Sequence, residues 1–313
     1  MSQNPERLTK NERRAQAREL ARQAREAERK REKRNRLLLQ GGVAAALVAI
    51  VAIVALVIAN GVREAAPTAG PKNMQSGGVV FGENLEVKET PALAAGEKRI
   101  ATEFNVNQRP VHVVTYVDYL CPACGSFEET YGPMLEQYTG SGDISLEVYP
   151  LNFLDPQSAG TKYSSRAGNL LACVASTQPE HAFKVHKELF ADQPKEGAAG
   201  HSNEKLLEIA VKGGAKKNAE LEKCVNDGKF VSFIDGNVTQ AMQTEVLGLA
   251  KGSQLIDNIQ TGELQDAKQP QTLRSTPTAI VNGKQWYQPR DGDLESYLLK
   301  TLQDIDADAT EAG

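Results

Sequence analysis

The sequence predicts an α/β fold that carries a large all-helical insertion and is preceded by a single transmembrane helix. Three observations lead to this prediction. A β-branched apolar run over residues 111–117 passes directly into apolar residues at helical spacing that continue to residue 138. Helical spacing recurs through residues 155–255, and residues 37–62 contain no charged side chain.

The amino-acid composition excludes two classes of protein. A chain of 313 residues with 40% hydrophobic residues and four cysteines is neither wholly disordered nor a small disulfide-stapled scaffold. The net charge of -4 averages two unlike parts, because residues 1–36 hold 13 of the 36 lysines and arginines but only 6 of the 40 acidic residues. We therefore expect a basic tail followed by one acidic globular domain of ordinary size.

The uncharged segment over residues 37–62 predicts a transmembrane helix. Its apolar part, Leu37–Ala59, would extend about 35 Å as a helix, enough to cross a hydrocarbon core of roughly 30 Å. The alternative is a cleaved signal peptide. A basic region as long as residues 1–36 and the lack of an Ala-x-Ala site after the apolar run favour the uncleaved anchor.

Flanking charge predicts how the helix is oriented. Basic residues crowd its N-terminal side, so the positive-inside rule places residues 1–36 in the cytoplasm and the remaining chain outside the plasma membrane, where disulfides persist. The tail either contacts anionic lipid or acts as a solvated topology signal. No nucleic-acid partner is expected, because the basic residues are not interleaved with aromatic ones.

Residues that interrupt helices and strands predict the domain boundaries. Residues 63–78 are rich in Ala, Pro, Gly and Ser, which predicts a flexible linker. The folded domain is expected over residues 79–306, beginning with an edge strand or hairpin near Val79. Residues 307–313 are predicted to be a disordered C-terminus.

Two cysteines stand where the predicted strand meets the predicted helix. Pro122 suits the first helical turn, so Cys121 comes immediately before the helix and Cys124 one turn further on. Unpaired N–H groups at a helix N-terminus favour an anion, so we predict that Cys121 is the ionised nucleophile. Cys124 is then the less exposed, resolving thiol.

The same Cys-x-x-Cys spacing also occurs in zinc sites and in structural disulfides. Zinc needs two further ligands, yet Cys173 and Cys224 are isolated and the four histidines form no ligand set, so no metal is predicted. A purely structural disulfide between Cys121 and Cys124 would close so short a loop that it would add little stability.

The segment Cys121-Pro122-Ala123-Cys124, together with residues 275–283 (Ser-Thr-Pro-Thr-Ala-Ile-Val-Asn-Gly), resembles the DsbA-type thiol-disulfide oxidoreductases of the thioredoxin superfamily. The resemblance spans roughly residues 79–306. It implies a thioredoxin fold in which Pro277 is cis and faces the reactive disulfide, so that an extended substrate peptide pairs with Thr276. The alternative is a proline that merely begins an edge strand.

Local signals predict the remaining elements of this domain. Residues 279–281 and 284–287 are predicted strands joined by an Asn282-Gly283 hairpin turn, and Asp293 is predicted to cap a last helix. The insertion should contain helices over residues 167–175, 181–190, 204–211, 219–225 and 230–249.

Cys173 and Cys224 fall on two of the predicted insertion helices. In an oxidising compartment an even number of cysteines favours a structural disulfide between them. The alternative is a pair of buried free thiols packed as small apolar groups. The resemblance further implies that the insertion caps the active site.

This chain departs from the family pattern at two positions. Thr115 stands where many members have a buried carboxylate that assists proton transfer. Asp118 or Glu128 are candidates to replace that carboxylate; the alternative is that each is a charged side chain in contact with solvent. Ala123 stands where the strongest oxidants have a histidine, which removes a cationic partner of the thiolate. We therefore expect a milder oxidant than the extreme members of the family.

The resemblance implies a membrane-anchored oxidase without a cofactor. It would donate the Cys121–Cys124 disulfide to exported protein thiols through a mixed disulfide and be reoxidised by a membrane quinone-linked enzyme of the DsbB or vitamin-K-epoxide-reductase type. One alternative is an extracytoplasmic reductase or isomerase, for example in cytochrome c maturation. Another is a thioredoxin-fold metal chaperone or scaffold that is not an enzyme.

Overall fold

The computed structural model describes residues 69–311. The predicted tail and transmembrane helix, residues 1–62, lie outside them. Among the described helices none is long and apolar enough to cross a membrane. The strands are β1 (Val79–Phe81), β2 (Val111–Asp118), β3 (Ile144–Leu151), β4 (Ile256–Asn258), β5 (Glu263–Leu264), β6 (Thr278–Val281) and β7 (Lys284–Gln285). The α-helices are α1 (Pro122–Gly140), α2 (Tyr163–Thr177), α3 (Ala182–Ala191), α4 (Asn203–Lys212), α5 (Ala219–Asn226), α6 (Val231–Thr239), α7 (Gln288–Asp291) and α8 (Leu294–Glu311).

A five-stranded sheet in the order β1-β3-β2-β6-β7 forms the centre of the domain. β2 pairs in parallel with β3 and antiparallel with β6, so it has a neighbour on each side. All eight residues of β2 are buried, as expected for a β-branched apolar run with packed layers on both faces. The α/β class predicted from the sequence is therefore confirmed.

Helix α1 follows β2 after a short turn, and its N-terminus places the cysteines. Cys121 is the residue before the first helical turn, and Pro122 occupies the first turn as predicted. The helix buries Cys124, Phe127 and Leu135. Because these positions share one face, α1 packs against the sheet while Pro122 stays exposed.

Helices α2 to α6 form the predicted insertion. α2 lies at its centre, with most of its side chains buried. The last predicted insertion helix, residues 230–249, is too long: α6 ends at Thr239 and a π-helical turn ends at Thr244. Glu245 has an extended backbone, with φ of -167° and ψ of 153°, which ends the helical geometry.

Cys173 on α2 and Cys224 on α5 form a disulfide bond. The cysteines are 51 residues apart in sequence, so the bond closes a long loop within the insertion. In the chain-entropy description a loop of this length adds at most about 4 kcal/mol to the free energy of unfolding.

The predicted flexible linker over residues 63–78 is wrong for its described part, because residues 70–78 belong to the folded domain. Met74 is fully buried. The Ser76 hydroxyl donates to Glu147, a buried carboxylate of β3. Further polar contacts hold this segment, among them those of the Asn73 side-chain amide with the Ala175 carbonyl and of the Tyr149 hydroxyl with the Ser76 carbonyl. Such contacts leave no apolar periodicity by which folded structure is recognised in a sequence.

The C-terminal third follows its local signals with small differences. The Asn282-Gly283 turn joins β6 to β7 with φ of 50° and 78°, as predicted. β7 ends at Gln285, so the predicted strand to residue 287 is too long. Asp293 Oδ1 accepts from the Ser296 N–H at 3.1 Å and so caps α8. α8 extends to Glu311, which corrects the predicted disorder of residues 307–311.

Candidate active site

Cys121 and Cys124 occupy the first turn of α1 at the end of the central strand. The Cys121 N–H donates to the carbonyl of Asp118 at 3.0 Å, which closes the turn between β2 and α1. Both thiols are free. Cys121 is 8% exposed and Cys124 is fully buried, so Cys121 is the sulfur that a substrate reaches first.

The two thiols differ in acidity. A hydrogen bond from the Cys124 thiol lowers the pKa of Cys121 to about 6, assisted by the Thr276 hydroxyl and by the N–H groups of Cys124 and Ala123, although burial opposes the shift. Burial raises the pKa of Cys124 well above its usual value, and its bond to the Cys121 sulfur raises it further. Near pH 7 Cys121 is therefore mostly thiolate, while Cys124 keeps its proton.

The assignment of the ionised sulfur agrees with the helix N-terminus argument from the sequence. The N–H groups of the first turn do contribute, as that argument requires. The largest cause, however, is the hydrogen bond from Cys124, which the sequence argument did not include.

The loop before β6 lies against the nucleophile. The Thr276–Pro277 peptide bond is cis. The Thr276 carbonyl oxygen is 3.7 Å from the Cys121 sulfur, and Thr278 pairs with Tyr116 in the sheet immediately afterwards. The two motifs that carried the family resemblance, 155 residues apart in sequence, therefore meet at one site.

Asp118 is a buried carboxyl beneath the thiol pair. Its oxygens accept from the backbone N–H groups of Leu120 at 2.9 Å and Leu154 at 3.0 Å. Burial raises the pKa of Asp118 to about 7, these hydrogen bonds oppose the shift, and the nearby Cys121 thiolate adds to it. The alternative interpretation of Asp118 as a solvated charge is wrong. Thr115 is also buried.

Glu128, the other candidate for proton transfer, is not a solvated charge either. Its side chain is 12% exposed and its Oε1 lies 3.4 Å from His186 Nε2 on α3. His186 Nδ1 in turn lies 2.9 Å from the Tyr119 hydroxyl. These buried side chains link α1, the β2–α1 turn and the insertion. Nothing in the sequence pairs residues 119 and 186, so the contact was not predicted.

Gln193, in the loop after α3, was also missed by sequence reasoning. Its side-chain amide donates to the carbonyl of Cys121 at 2.9 Å and to the carbonyl of Tyr119 at 3.2 Å. A polar residue in a loop 72 positions from Cys121 carries no sequence signal of such a contact. This glutamine is a second link between the insertion and residues 119–124, which we call the redox turn.

Cys173 and Cys224 lie within the insertion and contribute to no cluster of ligands. Within residues 69–311 no three His, Cys, Asp or Glu side chains are arranged to hold a metal ion. The site brings together the Cys121 and Cys124 sulfurs, the buried Asp118 carboxyl and the Thr276 main chain.

Comparison with known proteins agrees with this arrangement. Residues 105–250 match the model of a thioredoxin family. The matched segment is similar to a thioredoxin domain. It contains both cysteines of the redox turn and most of the helical insertion.

A sequence relative is the serine/threonine-protein kinase PknE of Mycobacterium tuberculosis, which is 29% identical over 139 residues. The match covers 43% of this chain and 24% of the kinase. The chain therefore spans about a quarter of the length of that relative.

Several solved structures are similar to this chain. The reduced form of the disulfide bond oxidoreductase DsbG of M. tuberculosis is 24% identical, with 73% of this chain and 86% of that chain covered and a TM-score of 0.48. Oxidised DsbA of M. tuberculosis is 23% identical, with 75% and 100% covered and a TM-score of 0.49. Oxidised BdbD of Bacillus subtilis is 18% identical, with 76% and 100% covered and a TM-score of 0.46.

Proposed function

We propose that the protein is a thiol-disulfide oxidoreductase that oxidises exported proteins with its Cys121–Cys124 disulfide. The observation that carries the proposal is a Cys121 sulfur with a pKa of about 6 at the start of α1, beside the Thr276 carbonyl. A thiolate of this kind is both a good nucleophile and a good leaving group in disulfide exchange.

The exchange balances as two displacements. A substrate thiolate attacks Cys121 of the disulfide, the Cys121–Cys124 bond breaks, and Cys124 leaves with the electron pair and takes up a proton. A second substrate thiolate then attacks the substrate sulfur of this mixed disulfide and releases Cys121 as a thiolate. The substrate is oxidised by two electrons, and both cysteines of the enzyme end reduced.

The acidity of Cys121 supports the oxidising direction. Stabilising the thiolate favours the reduced enzyme, so the disulfide is more readily passed on. A pKa of about 6 in place of 9.0 makes reduction roughly tenfold more favourable at pH 7, equivalent to about 30 mV for this two-electron couple. This modest gain supports an oxidant milder than the extreme family members, with a potential between roughly -270 and -120 mV.

The Thr276 main chain is the proposed contact for the substrate backbone. Thr276 precedes β6 and lies beside the Cys121 sulfur, so an extended peptide bonded to that sulfur runs alongside it. Pairing with main-chain groups binds a peptide with little dependence on its side chains. A preference for unfolded protein thiols is the expected outcome.

The equilibrium of the Cys121–Cys124 couple with glutathione tests the direction of electron flow. We expect a potential clearly above about -270 mV and rapid oxidation of a reduced, unfolded disulfide protein by the oxidised enzyme. A potential at or below that value, with reduction of substrate disulfides instead, would assign the protein to the reductases.

Membrane attachment and orientation are part of the same proposal. The uncharged segment 37–62 would anchor the chain in the lipid of the plasma membrane, with residues 1–36 in the cytoplasm and the catalytic domain outside. The Cys173–Cys224 disulfide suits an oxidising compartment. The reoxidising partner would be a quinone-linked membrane enzyme of the DsbB or vitamin-K-epoxide-reductase type.

Thiol labelling of intact cells tests the orientation. Ser2→Cys and Thr68→Cys are introduced separately into the full chain carrying Cys121→Ser and Cys124→Ser, which removes the reactive thiols. A membrane-impermeant maleimide should label the Thr68→Cys chain only, and alkaline washing should leave both chains in the membrane fraction. Labelling of the Ser2→Cys chain in intact cells, or release by alkali, would contradict the proposal.

A further inference from the structure

Gln193 of the helical insertion lies directly against the redox turn. Its side-chain N–H groups point at the carbonyls of Cys121 and Tyr119. A methyl group on Gly125, in the first turn of α1, would collide with Gln193 Oε1. The glutamine amide therefore occupies the space that a side chain at position 125 would need.

The two carbonyls held by Gln193 flank the reactive sulfur along the chain. The Tyr119 carbonyl lies in the turn between β2 and α1, and the Cys121 carbonyl begins the helix by accepting from the Gly125 N–H at 3.1 Å. The N–H groups of Ala123 and Cys124, which help to lower the pKa of Cys121, lie in the same turn. Fixing the carbonyls thus fixes the direction of these donors toward the sulfur.

We propose that Gln193 is a positioning residue that makes the Cys121 thiol more acidic and so makes the disulfide more oxidising. It acts through the backbone of the turn and contacts no reacting atom. The inference deepens the proposed function, because it assumes that Cys121 is the sulfur that reacts. It also gives the insertion a defined role, since the residue that sets the turn belongs to the insertion and not to the central sheet.

Substitution by methionine separates hydrogen bonding from packing. Gln193→Met keeps a neutral, unbranched side chain of similar length but removes both N–H donors. We expect the pKa of Cys121 to rise by about half to one pH unit, which is the size of effect that one modest hydrogen bond produces. At pH 7 the equilibrium constant for oxidation of glutathione should then change about three- to fivefold toward the disulfide form of the enzyme.

Gln178→Met is the matched control. Gln178 also lies in the insertion and uses its amide on backbone groups, donating to the Lys216 carbonyl at 2.9 Å and accepting from the Lys216 N–H at 2.7 Å. Its replacement should lower stability to a similar extent and leave the pKa of Cys121 unchanged. The pKa is followed by thiolate absorbance and by the pH dependence of alkylation of the full-length, reduced protein.

The possible results decide between positioning and general stabilisation. A raised pKa in Gln193→Met and Gln193→Ala, with none in Gln178→Met, supports the proposal. An unchanged pKa in Gln193→Met, or equal shifts in the Gln178 variant, overturns it. Failure of the proposed function would show differently, as a wild-type protein that does not oxidise reduced proteins whatever the acidity of Cys121.

Discussion

Replacement of Cys121 by serine is expected to reduce substrate oxidation to the uncatalysed rate. Cys121 is the more exposed of the two sulfurs and the one held as a thiolate beside the Thr276 carbonyl. A serine hydroxyl neither forms the disulfide nor ionises near neutral pH, so no partial activity should remain. The measurement is the recovery of activity of a reduced, unfolded disulfide protein mixed with the oxidised enzyme.

Cys124→Ser should behave differently, because it removes the resolving thiol and keeps the nucleophile. The remaining Cys121 thiolate is expected to attack oxidised glutathione and to stay as a mixed disulfide, visible as one added glutathione by intact mass. In Cys124→Ala, which leaves no side-chain donor at this position, the pKa of Cys121 should also rise above about 6, since the hydrogen bond from Cys124 is the largest cause of the low value. Serine at position 121 should give no adduct at that site.

A double replacement, Cys173→Ala with Cys224→Ala, is the control for loss of a cysteine as such. That pair is already bonded within the insertion and should not be required for exchange. The variant is expected to be less stable yet active below its unfolding temperature. Oxidation that persists in Cys121→Ser, or that disappears only in the insertion variant, would refute the assignment of the redox pair.

The parts of the site that the sequence predicted are those encoded by neighbouring residues. The Cys121-Pro122 junction, the Asn282-Gly283 turn and the Asp293 cap each depend on groups within a few positions of one another. Such signals retain their meaning whatever the rest of the chain does. The helical insertion was recognised for a similar reason, from apolar periodicity within single helices.

The parts that were missed depend on contacts between distant segments. Asp118 was named as a candidate, but its burial was not predicted, because that burial involves the Leu154 N–H, 36 residues later, which donates to one of its oxygens. Gln193 becomes meaningful only when the insertion brings it onto the Cys121 carbonyl. Residues 70–78 look like a linker because polar contacts, such as that of Ser76 with Glu147, hold them in the fold, and no periodic pattern of apolar residues marks them in the sequence. Spacing along the chain carries none of this information.

Replacement of Asp118 by asparagine should change both the stability and the pH dependence of the reaction. Burial raises the pKa of Asp118 from 3.8 to about 7, so the folded protein holds this proton more tightly than the unfolded chain. The stability due to the neutral carboxyl is therefore fully present below about pH 4 and is lost as the pH rises through 7. Three pH units correspond to about 4 kcal/mol at most.

Asparagine carries no charge and avoids that loss, although it accepts fewer hydrogen bonds from the Leu120 and Leu154 N–H groups. Relative to wild type, Asp118→Asn should gain roughly 3–4 kcal/mol in the free energy of unfolding between pH 4 and pH 8. Urea unfolding of the reduced protein at both pH values measures the difference. A constant difference between the two proteins would show that Asp118 is already ionised in the folded state at low pH.

The catalytic consequence concerns the proton of Cys124. Cys124 is fully buried, so its proton has no direct route to water. Its sulfur accepts from the backbone N–H of Asp118, the residue that carries the buried carboxyl. Resolution of the glutathione mixed disulfide should accelerate in the wild type as the pH rises through about 7, where Asp118 becomes able to accept that proton. In Asp118→Asn the rate should fall by about 10²-fold and lose this inflection.

Asp155→Asn provides the comparison that decides whether proton transfer, and not the removal of any buried charge, is responsible. Burial also raises the pKa of Asp155, which bonds to Ser165 in the insertion and not to the redox turn. Its replacement should alter the pH dependence of stability and leave the rate profile intact. If both variants retained the wild-type rate profile, Asp118 would affect stability alone. Cys124 would then have to exchange its proton with water by transient opening of the turn that Gln193 and the Asp118 carbonyl hold closed.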